Sequence, residues 1–310
     1  MRPHDLTRAQ LLVRFGYDGA RFRGLQPQAP GIPTAGLALR VRLEEAAGTR
    51  AGGLNFAART DAGVRALGNI ATCYFRDLAA AQVDAIIARV AAWRDDGLVD
   101  VRAVRVPPTV HARGSGRGKR YRYLLEDGAA DSSPHRPWVW AVSPRLDVDA
   151  MRAAAAHLVG THDFTSLRAA DCKADTAVKT LASVRVGGPF PVTPPAGAVD
   201  DGDGPRRIIV EVAGTAFLRK MMRNMVGLLA EVGAGLRAAD DVVAVLAARD
   251  RKRAGLCAPP NGLVLVEVGC AWPEDGSGLI RELRAIPGGD GAAGNPVDVT
   301  AIEDSDVNNP

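Results

Sequence analysis

The chain has little cysteine, little histidine and no long apolar run, and each scarcity removes a class of protein. Its four cysteines, Cys73, Cys172, Cys257 and Cys270, form no C-x-x-C pair, so neither a disulfide framework nor a thiolate metal site is indicated. The five histidines, His4, His111, His135, His157 and His162, give no H-E-x-x-H, which removes the zinc-hydrolase pattern. No metal site is expected. No apolar stretch approaches the roughly 18 residues that span a bilayer. The N-terminus carries Arg2, His4, Asp5 and Arg8 in place of a signal-peptide hydrophobic segment. The expectation is a cytoplasmic protein that engages no membrane.

Charge of one sign gathers at the C-terminal end. From Pro287 onward there is no Lys or Arg but five acids, Asp290, Asp298, Glu303, Asp304 and Asp306. Without those five charges the formal +4 of the whole chain becomes +9 for residues 1–286. A basic body favours polyanionic partners, nucleic acid first. Charge alone does not decide, because 34 of the 39 cations are arginine, a bias that GC-rich coding can produce without function.

A chain of 310 residues buries roughly 75% of its unfolded surface, enough to fold without covalent staples. Periodicity places a strand at 11–15, closed by the turn signal Tyr17-Asp18-Gly19, then a helix at 35–47. Extended segments follow near 53–58 and 69–76, a helix at 79–93 and a strand at 98–106. That order is βαββαβ, a ferredoxin-like unit with a largely antiparallel sheet. The second half repeats it: strand 119–127, helix 147–158, strands near 180–186 and 206–213, helices at 217–234 and 239–249, and a strand at 263–269. The expected fold is α+β, two pseudo-symmetric ferredoxin-like units forming a mixed, mostly antiparallel sheet with a central cleft, where ligands commonly sit. The halves are read as 1–112 and 113–272, followed by an acidic, disordered tail at 273–310. The Gly- and Pro-rich segment 187–205 is read as a flexible loop.

Three clusters could carry chemistry. The first is Ala58-Arg59-Thr60-Asp61-Ala62-Gly63-Val64, between two predicted strands. A plain hairpin accounts for its turn formers singly. The distinctive feature is one carboxylate beside an arginine with no second acid nearby, which suits stabilising a positive sugar or attacking its anomeric carbon. The second runs from Arg113 to Tyr123. Its glycine spacing fails the phosphate-loop pattern G-x-x-x-x-G-K-[ST], and Arg120 follows Lys119, so ATP chemistry is not supported. Cations leading into two tyrosines fit RNA better, with phosphates held by charge and an unpaired base stacked on a ring. Strand alternation puts Tyr121 and Tyr123 on one face and Arg122 on the other. A solvated loop followed by core tyrosines explains the same residues. The third is the helix over 217–234, whose methionines read as core packing. Arg219, Arg223 and Gly227 are spaced along another stripe. From there Arg223 could hold a carboxylate, although an exposed helical arginine is ordinarily just solvated.

Taken in order, these segments resemble the tRNA pseudouridine synthase A family. The matching pieces are Tyr17-Asp18-Gly19, Arg59-Thr60-Asp61-Ala62-Gly63-Val64, His111-Ala112-Arg113 with Lys119-Arg120-Tyr121-Arg122-Tyr123, and Asp163-Phe164-Thr165-Ser166. Phe217 with Met222-Arg223-Asn224-Met225-Val226-Gly227 and Ala258-Pro259-Pro260-Asn261-Gly262-Leu263 complete the set. The resemblance implies an isomerase that converts uridine to pseudouridine in the anticodon stem-loop of tRNA, as a cytoplasmic homodimer and without a cofactor. By motif position it makes Asp61 the catalytic carboxylate, Tyr121 the active-site tyrosine on the uracil, and Arg223 the partner of the Asp. It gives Arg59 a part in displacing the base; the charge of the second cluster makes Arg113, Lys119 and Arg120 the further expected substrate contacts.

The chain departs from the family pattern where substrate is handled. It has Gly24-Leu25-Gln26 for Gly-Trp-Gln, Arg65 where His is usual, and Trp93-Arg94-Asp95-Asp96-Gly97-Leu98 in place of an Asn-x-x-Leu-Pro element. Another RNA or a free nucleotide as substrate, or a non-catalytic RNA-binding role, are the alternative readings.

Overall fold

The structure is a computed structural model and describes residues 8–93, 97–114, 116–128, 138–192 and 204–270. The expected tail therefore lies outside the described residues, as does most of the segment read as a loop at 187–205.

The first half runs β1 (Arg8–Tyr17), α1 (Ala35–Ala47), β2 (Gly52–Phe56), β3 (Arg65–Arg76), α2 (Ala80–Ala91) and β4 (Leu98–Val106). Local chemistry sets the helix ends. The Thr34 hydroxyl accepts from Leu37 N at 3.3 Å to start α1, and Gly48 at φ 66 ends it in the left-handed region. The apolar spacing of α2 puts Val83, Ile86 and Val90 in the core.

The second half runs β5 (Gly116–Asp127), β6 (Trp140–Val142), α3 (Val148–Ala156), β7 (Gly160–Asp163), β8 (Val178–Pro191), β9 (Arg206–Gly214), α4 (Met221–Gly233), α5 (Asp241–Ala248) and β10 (Leu263–Cys270). Together they make an α+β fold on one open, mixed sheet. Its strand order is β4-β1-β3-β10-β5-β9-β8-β7, with β2 on β3 and β6 on β5. Among the described strand pairs only β10–β3 and β5–β6 are parallel.

Two sequence expectations need correction. The strand β8 continues through Pro191 into the segment read as a loop, pairing Phe190 with Arg207 and Pro191 with Arg206. The helix expected from 217 begins at Met221, because Lys220 sits at φ 60 and cannot continue it. Arg219 therefore precedes the helix. It forms an ion pair with Asp171, both side chains at least half exposed, and does not share a helical stripe with Arg223.

The seam between the halves positions the site. β10, late in sequence, is inserted between β3 and β5, pairing Leu265 with Ala66 on one side and with Tyr121 on the other. Ala66 in turn faces Tyr17 on β1. Residues paired across a sheet share a face, so Tyr17, Ala66, Leu265 and Tyr121 lie in one row on one face. The turn between β2 and β3, carrying Asp61, opens at the end of that row.

Candidate active site

The turn bearing Asp61 is held from three directions. Its own Val64 N donates to Asp61 O at 3.2 Å. Across from it, Gly19 lies so close that a Cβ there would stand 2.4 Å from the Val64 carbonyl, so the turn Tyr17-Asp18-Gly19 admits only glycine at its third position. From β3, the fully buried Asn69 bonds the Ala58 backbone on both sides, donating to its O at 3.0 Å and accepting from its N at 3.4 Å.

Arg223 stands in the first turn of α4, a helix buried along most of its length. Its Nη1 donates to Asp61 Oδ2 at 2.9 Å and its Nε to Ala258 O at 2.7 Å. Ala258 N returns a bond to Arg223 O at 3.0 Å. The segment 256–262 can pass this close to α4 because position 227 is glycine, where a Cβ would fall 1.9 Å from Leu256 O. Arg223 is thus fixed in orientation before it meets Asp61. The arginine is 14% exposed and the carboxylate 30%. Arg223 is the only side-chain partner of Asp61 among the described residues, so the second carboxylate oxygen is free of hydrogen bonds there.

Tyr121 completes the group. It is 7% exposed, and its ring meets Phe217 edge-on with centroids 4.8 Å apart. Burial pushes its hydroxyl far above the usual phenol range, and the neighbouring Tyr17 and Asp61 add to the rise. It therefore stays a neutral phenol. Tyr123, two residues on and on the same face, is fully buried and donates to Pro259 O at 2.6 Å. Its pKa is likewise raised by burial, with Arg223 opposing. Tyr123 thus buttresses the segment that holds Arg223.

The cations expected to meet substrate divide in two. Arg59 is exposed beside Asp61 and makes no ion pair among the described residues. Lys119 shares the face of Tyr121 by alternation, and burial, with Arg113 nearby, lowers its pKa. Arg120 and Arg122 point to the opposite face. There Arg122 bonds Glu211 at 2.9 Å, and Arg120 pairs with Glu267 and, at 3.8 Å, with Glu211. The structure thus does not bring Arg120 together with the other residues expected to meet substrate. Sequence reasoning missed Thr60, Asn69 and the Ala258 carbonyl. The available signal was an amide, Asn69, inside a strand whose interior positions are mostly apolar.

Among the described residues no three His, Cys, Asp or Glu side chains are grouped to hold a metal ion, and no helix is long and apolar enough to cross a membrane.

A family model described as tRNA pseudouridine synthase matches residues 154–269. A protein named tRNA pseudouridine synthase A from Myxococcus xanthus is 40% identical over 259 residues, covering 84% of this chain and 91% of the relative. Proteins of the same name from Geotalea uraniireducens and Neisseria meningitidis serogroup B are 35% and 36% identical. Their alignments cover 84% and 87% of this chain, and 98% and 94% of those relatives. With this identity sustained across nearly all of the described fold, the chain belongs to the tRNA pseudouridine synthase A family.

Proposed function

We propose that the protein isomerises uridine to pseudouridine in tRNA, at the anticodon stem-loop, and that Asp61, Tyr121 and Arg223 are its catalytic residues. The reaction breaks the bond from N1 to C1′ and forms one from C5 to C1′. The C5 proton leaves and N1 gains one, so the atoms balance with no added oxidant or reductant. Between the two bonds the sugar is electron-poor. Asp61 serves it either by bonding C1′ or by initiating elimination from the sugar; both use one carboxylate in one place.

The observation that carries this reading is the 2.9 Å contact between Arg223 and Asp61, residues 162 apart in sequence. It fixes the carboxylate through one oxygen and leaves the other for the sugar. Tyr121, neutral and beside Asp61, is placed to stack on the uracil. The base must first leave its helix, at a cost of a few kcal/mol, and Arg59 beside the site supports that displacement. Lys119 and Arg113 add phosphate contacts. In this reading residues 1–112 supply the carboxylate and 113–272 supply the tyrosine and arginine. The enzyme works in the cytoplasm as a homodimer.

The test is tritium release from tRNA transcripts carrying 5-tritiated uridine. Release by the wild type and none by Asp61→Ala is the expected result. No release from any anticodon arm, followed by release from labelled UMP, would replace tRNA by a free nucleotide. Tight, salt-sensitive tRNA binding without release in either assay would leave an RNA-binding protein.

A further inference from the structure

Tyr17 is 2% exposed and its ring packs among Phe15 and Phe22, with centroid distances of 5.7 and 6.4 Å. Phenylalanine would satisfy those ring contacts equally well. The hydroxyl has a different partner: it lies 2.7 Å from Thr60 Oγ1, and Asn69 Nδ2 reaches it at 3.5 Å. A buried hydroxyl is costly unless hydrogen-bonded, and here the bond goes to the residue immediately before Asp61. Thr60 is fastened a second time through its backbone, where Leu25 N donates to its O at 3.3 Å. Two atoms of one residue are thus pinned by two separate segments, and the orientation of the next residue follows from them. Asp61 itself has one side-chain anchor among the described residues, the Arg223 contact. Burial raises the Tyr17 pKa to about 12, so the phenol keeps its proton at working pH.

We propose that the Tyr17 hydroxyl is a positioning group for catalysis, setting the Asp61 carboxylate through Thr60. The inference rests on the reading of Asp61 as the catalytic carboxylate. It goes beyond that reading in assigning a role to a buried hydroxyl that is not among the proposed catalytic residues.

The experiment measures kcat and KM for tritium release by the full chain carrying Tyr17→Phe, Thr60→Val, Thr60→Ser or Tyr17→Phe with Thr60→Val, beside Asp61→Ala. A displacement of about 1 Å at a reacting group can cost 10²-fold. Tyr17→Phe and Thr60→Val should each lower kcat by roughly 10- to 100-fold, with KM for tRNA nearly unchanged. Thr60→Ser, which keeps the oxygen, should recover most of the loss. The double variant should be no slower than either single one, because both remove the same bond. If Tyr17→Phe does not fold, the contrast between Thr60→Val and Thr60→Ser decides alone. An unchanged kcat in Tyr17→Phe, a loss confined to KM, or a Thr60→Ser variant as slow as Thr60→Val would each overturn the proposal while leaving Asp61 in place. Unimpaired release by Asp61→Ala would instead overturn the reading beneath it.

Discussion

Two carboxylate–arginine contacts in this molecule use the same groups to opposite ends. Asp127, at the end of β5, is fully buried and accepts from Arg206 Nε at 3.0 Å, from Arg206 Nη2 at 2.6 Å and from Leu146 N at 2.7 Å. Both its oxygens are engaged. Asp61 accepts from Arg223 through one oxygen, at 2.9 Å, and is 30% exposed. The first contact ties β5, β9 and the start of α3 together within one half of the chain. The second spans the two halves and leaves hydrogen-bonding capacity unused. A saturated carboxylate can only hold structure, whereas one with a free oxygen beside an oriented arginine can meet a developing charge.

The largest expected effect tests the unsaturated member. Asp61→Ala should lower tritium release by at least roughly 10³-fold. It should shift the unfolding midpoint less than the loss of Asp127 does, since Asp61 is 30% exposed and accepts one bond, whereas Asp127 is fully buried and accepts three. The counterpart is Asp127→Ala, which removes the carboxylate acceptor of Leu146 N and of two Arg206 nitrogens, although Arg206 Nη2 keeps its contact with Leu146 O at 3.2 Å. Removing one partner of a buried pair costs about 3–5 kcal/mol. Because Arg206 is 28% exposed, the lower end, about 3 kcal/mol, is expected in denaturant unfolding, with kcat per folded molecule retained. If Asp61→Ala were the more destabilising of the two, the contrast between a working and a structural pair would collapse.

The same contrast explains what could be read from the chain beforehand. The elements of the first half were legible because their apolar periods are clean, as at Val83, Ile86 and Val90. β6 and β7, three and four residues long, are too short to show a period. The end of β8 was hidden by composition, since Gly187-Gly188-Pro189 reads as a loop. It is tolerated in a strand because the pairing of β8 with β9 shifts register between Gly187 and Phe190, so that Gly188 and Pro189 stand at an irregularity outside the ladder, where proline forfeits no bond. The start of α4 misled because Phe217, Leu218 and Met221 keep a helical spacing across the left-handed turn at Lys220. For the site, Asp61 stood out as a lone acid and Arg223 as one helical arginine among several. Their pairing over 162 residues was supplied by family resemblance, because no local pattern encodes a contact of that separation.

A smaller effect sharpens the working pair. Arg223 holds Ala258 O and Asp61 with two different guanidinium nitrogens. Lysine offers one charged centre and cannot reproduce that fork. Arg223→Lys should preserve charge and fold yet lower kcat by roughly 10-fold. A full-strength Arg223→Lys would mean that charge alone, without orientation, suffices at Asp61.

The smallest expected effect extends the comparison from carboxylates to cations. Arg120 lies in a basic run and Arg59 beside a single acid, yet charge counting treats them alike. Arg120 already faces Glu267 and Glu211, on the side of the sheet away from Tyr121. Arg59 is exposed beside Asp61 with no ion pair among the described residues. A cation that neutralises an RNA phosphate releases a counterion, and each such contact adds about 1 to the slope of log affinity against log salt. Arg59→Ala should therefore flatten the slope for tRNA by about 1, whereas Arg120→Ala should leave it unchanged. Equal flattening by both variants would mean that RNA draws Arg120 away from its two glutamates. The opposite face of the sheet would then have to be counted as part of the binding surface.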